Sequence, residues 1–223
     1  MIPAGAGWVL ATGAALIAVE LARAVPAWLR VRRTGRVSGL SAVSLGVLLG
    51  SVPAWLAVAV LAQAWGVLVA TLVWAFFHAR LCREAVRIDR GFRAVIPRAA
   101  AATLAGLALI GIVGEAVGLL RVSIGMSLVA VTAAYSLPAL WSGMRAADVA
   151  GISVLATAVS ALEGAIYVVV GMGWTGTAVI PSYLAFGALA IATNVPRCWR
   201  AVAHRARERR LPRAEPLGLG FEP

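Results

Sequence analysis

The pattern of the stretch Pro26-Ala27-Trp28-Leu29-Arg30-Val31-Arg32-Arg33-Thr34-Gly35-Arg36-Val37-Ser38-Gly39-Leu40-Ser41 is written twice in the chain. A proline is followed thirteen residues later by Gly-Leu-Ser, and Pro138 is followed thirteen residues later by Gly151-Ile152-Ser153. The offset, 138 minus 26, is 112 residues. Laid over each other without gaps, residues 26–58 and 138–170 are identical at eight places, which in the first copy are Pro26, Ala27, Arg33, Val37, Gly39, Ser41, Val47 and Val58. Trp55 falls opposite Tyr167, each 16 residues after its glycine. Self-similarity at a fixed offset marks an internal repeat.

Outward from these stretches the chain is apolar. Hydrophobic residues make up 61% of the 223 residues and charged residues 13%, with a mean hydropathy of +0.91. A soluble domain is about a quarter charged, so one aqueous core cannot absorb this much apolar surface, and lipid is expected to be the solvent for much of it. Runs long enough to cross a bilayer, roughly 20 residues each, fall at 7–29, 42–62, 64–81, 99–120, 122–144, 150–170 and 176–195. The first run follows no basic segment and is long for a signal peptide, so it reads as a retained helix. The expected fold class is an all-α membrane protein of seven transmembrane helices, arranged as two parallel three-helix bundles joined by a linker helix. The expected units are a first repeat over 1–82, a loop and linker helix over 83–121, a second repeat over 122–200, and a cytoplasmic tail over 201–223 that reads as disordered. With one linker helix between the copies, the halves keep the same orientation. They are then related about an axis along the membrane normal, and a substrate site is expected between them near the midplane.

Every strongly basic residue is an arginine, and the arginines set the orientation. The first, third and fifth loops and the C-terminal tail hold 18 of the 20. The opposite loops carry only Arg121, and Arg23 lies inside the first run. This alternation expects the N-terminus outside and the C-terminus in the cytoplasm of a plasma-membrane protein. The net charge of +11 therefore does not point to nucleic acid, since the basic residues form no soluble basic face. It points to anionic lipid at the arginine loops. The absence of lysine excludes a retinal Schiff base. Cys82 and Cys198 sit beside arginines on the cytoplasmic side and are expected as reduced thiols. No metal spacing, phosphate loop or nucleophile–base set occurs, so neither cofactor, metal nor catalysis is expected.

A proline late in the first helix, a basic loop, and Gly-Leu-Ser opening the second resemble the SWEET and PQ-loop transporter superfamily. The resemblance spans nearly the whole chain. It implies alternating access for a small neutral solute, most often a sugar. The family's aromatic position in the second helix of each repeat falls on Trp55 and Tyr167. Its asparagine positions fall on Ser182, after Pro181, and near Thr71. Ala27 and Ala139 stand where PQ-loop proteins have glutamine, and Ser44 and Ala156 where SWEETs often have proline.

The substrate-binding candidates are thus Trp55, Tyr167, Thr71, Ser182 and Glu163. Glu163 is one turn before Tyr167 on the same face, and a carboxylate at mid-depth costs about 2.5–3.5 kcal/mol on insertion scales. Glu163 is expected to face a pocket, and with Glu20 it is a candidate for proton coupling. Glu20 is also three residues from Arg23, a spacing that suits an ion pair. Pro26 and Pro138 each remove a backbone hydrogen bond and are candidate hinges. Asn194 is a candidate for an inner gate. Two further functions stay open: a proton-coupled carrier of amino acids or other polar metabolites, and a receptor or scaffold that does not transport. The expected partners are a small-molecule solute and the lipid bilayer, with a homo-oligomer left open.

Overall fold

The structure is a computed structural model that describes residues 4–61, 65–172 and 181–210, with the side chains at several helix ends excepted. Among the described residues it is all-helical. The helices are α1 (Ala4–Thr34), α2 (Ala42–Leu61), α3 (Trp65–Ile88), α4 (Phe92–Ala116), α5 (Leu120–Arg145), α6 (Val154–Gly171) and α7 (Pro181–Arg210). Two of them, α3 and α4, are long and apolar enough to cross a membrane by length and composition. In α2 and α6 the apolar stretches are shorter, at Ala42–Ala57 and Val154–Val169.

The helices outrun the apolar segments. The arginine-rich break at 83–98 shrinks to a turn at Asp89–Gly91, because α3 runs on to Ile88 and α4 begins at Phe92. Arginine is a good helix former, so a drop in hydropathy does not end a helix. What ends α3 is Asp89, whose carboxylate accepts from the Gly91 N–H at 2.8 Å, a side-chain turn that competes with the helix. Likewise α7 continues to Arg210, ten residues into the segment expected to be a disordered tail. Residues 211–223 lie outside the described part.

The repeated Gly-x-Ser is a turn and a helix cap. Ser41 accepts from the Ser44 N–H through Oγ at 3.2 Å, and Ser153 accepts from the Ala156 N–H at 3.2 Å. Each serine thereby satisfies one orphan donor at the start of α2 or α6. The two glycines serve different needs. Gly39 sits at φ +79°, where a side chain is strained. Gly151 is needed for close approach, since a Cβ there would lie 2.8 Å from the Ser38 carbonyl oxygen and 2.9 Å from that of Arg36.

Packing repeats as well. α3 lies between α1 and α2, α7 touches both α5 and α6, and the two sets meet through α1 against α6 and α2 against α5. α4 packs chiefly on α2, where Gly46 and Gly50 form a small-residue seam. A Cβ on either would come within 2.4 Å and 2.3 Å of the Ile96 and Ala100 carbonyl oxygens, respectively. Gly164 and Gly187 let α6 and α7 approach in the same way.

Small polar side chains are buried among the apolar core, and many large aliphatic side chains are exposed. Buried positions include Ser44, Ser51, Thr71, Thr132, Ser136 and Asn194, while Leu109, Ile112, Leu162 and Ile166 are more than half exposed.

Candidate functional site

Two cavities lie between the two sets of three helices. The lower one, about 160 Å³, reaches toward the arginine-rich end, where Leu40, Gly151 and Ile152 line it. The upper one, about 110 Å³, is lined farther along the same helices by Leu16, Trp55, Val67 and Tyr167. Six residues border both: Arg23, Leu48, Trp74, Tyr135, Glu163 and Phe186. These form a girdle between the chambers.

At the girdle's centre is a buried charge triad. Arg23 on α1 donates through Nη2 to Glu20 at 2.5 Å, one turn earlier. Through Nη1 it donates to Glu163 of α6 at 2.7 Å. The three side chains are 14–22% exposed. At such depth a lone charge is costly, and pairing with full hydrogen bonding is what offsets it. The pair also fastens the first helix of one set to the second helix of the other. The guanidinium lies 5.8 Å from the Trp74 ring centroid, within cation–π range. Trp74 in turn stacks on His78 at 5.1 Å and 19°, and His78 Nε2 is 2.9 Å from the Leu45 carbonyl oxygen.

The upper chamber has aromatic walls. Phe186 stands edge-on to Tyr167 at 4.6 Å and to Trp55 at 6.4 Å. Thr71 and Glu20 complete the polar side of the same chamber. Trp55, Tyr167, Thr71, Glu20 and Glu163, which are scattered in sequence, therefore share one cavity. Asn194 borders the other, its Nδ2 donating to the Ala190 carbonyl at 2.9 Å. Pro26 and Pro138 both sit inside continuous helices and border neither cavity, although Ala27 and Ala139 beside them do. The side chain of Ser182 lies outside the described residues.

The hydropathy pattern pointed to none of Trp74, Tyr135, Phe186 and Arg197 as site residues. The 112-residue offset carried a signal for three of them. It pairs Arg23 with Tyr135 and Trp74 with Phe186, as it pairs Trp55 with Tyr167. Each pair reaches the same girdle or chamber from equivalent helices.

The arginine-rich end is closed by a polar latch between the two repeated loops. Gly151 donates its N–H to the Ser38 carbonyl at 3.2 Å, and Arg30 Nε donates to the Ala150 carbonyl at 2.7 Å. Asp148 accepts from the Ser38 hydroxyl at 2.9 Å and from the Ala150 N–H at 2.7 Å. Arg36 lies 3.7 Å and His204 of α7 lies 3.3 Å from its carboxylate. Burial acts to raise the Asp148 pKa, but these donors and cations outweigh it and hold the carboxyl below its ordinary value. Arg200 donates to the carbonyls of Gly143 and Ala146, which closes the end of α5.

Both cysteines are free, and among the described residues no group of His, Cys, Asp or Glu has the makings of a metal site. No family model matches the chain, and neither does any curated protein or solved structure.

Proposed function

We propose that this chain is a membrane carrier whose seven helices all cross the bilayer, as two parallel three-helix bundles with α4 as linker. It would move a small polar solute by alternating access, in the manner of the SWEET and PQ-loop proteins it resembles. The observation that carries the reading is the pair of cavities on the interface between the two sets, divided by a girdle to which both sets contribute equivalent residues. The many exposed large aliphatics, with small polar groups turned inward, support a lipid surround. The arginine bias supports a plasma-membrane protein with its N-terminus outside and the latched end in the cytoplasm.

On this reading the conformer is closed on the cytoplasmic side. Opening requires the Asp148–Ser38 latch and the Arg23–Glu163 pair to part as one bundle rocks on the other, with Pro26 and Pro138 beside the lower chamber as hinges. The aromatic walls around Trp55 and Tyr167 suit the apolar face of a sugar ring, with Thr71 as a hydrogen-bonding partner. Chambers below the size typical of drug-binding pockets suit a small metabolite.

The Arg23–Glu163 pair supports a second reading, a proton-coupled carrier of amino acids or other polar metabolites in which Glu163 or Glu20 exchanges a proton. Uptake of labelled glucose, sucrose and a panel of amino acids into proteoliposomes, with and without a pH gradient, separates the readings. The facilitator reading expects gradient-independent uptake that falls in Trp55→Ala and Tyr167→Ala. If such uptake is also unchanged in Glu163→Gln, proton coupling is excluded. Absence of uptake for every solute, by protein that remains folded, overturns the carrier reading.

A further inference from the structure

We infer that the lower chamber is an anion site, in which Arg197 with Asn194 binds a single carboxylate carried by a small solute. The inference rests on the carrier reading for what the chamber does, and it makes the small polar solute of that reading an acidic one.

The argument begins with charge. Two cations border the lower chamber, Arg23 at the girdle and Arg197 on α7. Arg23 is matched by two carboxylates. Arg197 has none within ion-pair distance among the described residues; its one hydrogen bond runs from Nη1 to Asn194 Oδ1 at 3.5 Å. That bond is long, beyond the usual N–H···O range. Its Nε is buried without any partner. Among the described residues four buried side-chain nitrogen or oxygen atoms lack a partner, and two of them, the Nε atoms of Arg23 and Arg197, belong to residues that border this chamber. A buried charged donor left unsatisfied is costly, so an anionic acceptor brought to this guanidinium would be favoured.

The position of Arg197 is built. Its stem crosses α5 at Gly143, where a Cβ would stand 3.0 Å from Arg197 Cγ and 3.1 Å from Nε. A side chain at 143 would press on the arginine stem. The fork of a guanidinium matches a planar carboxylate in two parallel hydrogen bonds. Nearby hydroxyls of Ser153, Thr157 and Thr193 border the same chamber and would serve the uncharged remainder of a hydroxylated acid. The girdle sets the other limit. One cation and two carboxylates leave it acidic when all three are ionised, so a second negative group on the solute would meet repulsion there.

The test uses purified full-length protein in lipid nanodiscs, with melting temperature as the binding readout, and the same protein in proteoliposomes for uptake. The probes are matched pairs, D-glucuronate with D-glucose and L-lactate with lactamide, run beside chloride and inorganic phosphate. The carboxylate of at least one pair is expected to bind about ten- to a hundredfold more tightly than its neutral partner. Arg197→Gln should abolish that preference, and Arg197→Lys should return part of it. Asn194→Ala, which keeps the arginine, should weaken it and covers the case in which Arg197→Gln does not fold. Equal binding within both pairs, no binding by either carboxylate, or a preference unchanged in the variants overturns the inference. A shift with chloride or phosphate alone overturns the carboxylate assignment. Carboxylate binding that depends on Arg197 but without uptake would leave the anion site standing and remove the carrier reading; uptake of glucose with no effect of Arg197 would do the reverse.

Discussion

Removing Arg23 should damage this protein more than removing Glu163, although the two form one ion pair. The triad holds one cation and two carboxylates. Glu163→Gln leaves Arg23 paired with Glu20 and brings the formal count to zero. What is lost is one charge-assisted hydrogen bond across α1 and α6, about 1.5–3 kcal/mol. Arg23→Gln leaves two carboxylates facing each other without a cation at a depth where they are only 14–15% exposed. Breaking a buried pair from that side costs about 3–5 kcal/mol. Glu163→Gln alters volume little, whereas Arg23→Gln also shortens the side chain by two heavy atoms, which adds to its cost. Unfolding of the purified protein, followed by intrinsic tryptophan fluorescence against heat or denaturant, reads both variants and the double variant. The double variant should be less destabilised than the sum of the singles, by about 0.5–3 kcal/mol, as expected for residues in direct contact. If Arg23→Gln proves the milder change, or if the two effects add, the triad does not hold the two sets of helices together as argued.

Three further outcomes follow from other parts of the molecule. Gly50→Ala should lower stability by about 1–3 kcal/mol, because its Cβ would press on the Ala100 backbone, whereas Gly106→Ala, with nothing within 4 Å, should be neutral or gain about 0.5–1 kcal/mol; thermal unfolding compares them. Replacing the capping hydroxyl in Ser41→Ala or Ser153→Ala should each cost about 0.5–2 kcal/mol, measured in the same way. Asp148 has its folded pKa below the ordinary 3.8, so the stability it contributes is fully present above that value and fades as pH falls through the lower folded one. Asp148→Asn should therefore be less stable than the parent protein at neutral pH, and the gap between their melting temperatures should close on strong acidification.

The helical class, the 112-residue offset and the starts of α2 and α3 were legible in the sequence. Apolar run length, the Pro26/Pro138 pair and the capped Gly-x-Ser turns are local in the chain, and local propensity with side-chain capping suffices to read them. The Glu20–Arg23 contact was legible for the same reason, being one turn apart on one helix. Helix ends in the arginine-rich segments were not, because hydropathy reports the solvent a residue prefers and not whether its backbone stays helical. α3 reaches Ile88 and α7 reaches Arg210 for that reason. That Arg23 also holds Glu163, 140 residues away, follows from the packing of α1 on α6. Nor could spacing show that the Arg197 stem crosses α5 at Gly143 and borders the lower chamber with no carboxylate within ion-pair distance among the described residues. Those contacts depend on which faces of α1, α5, α6 and α7 meet and at what separation. Interhelical packing fixes both, and residues far apart in the chain carry no spacing rule that encodes it.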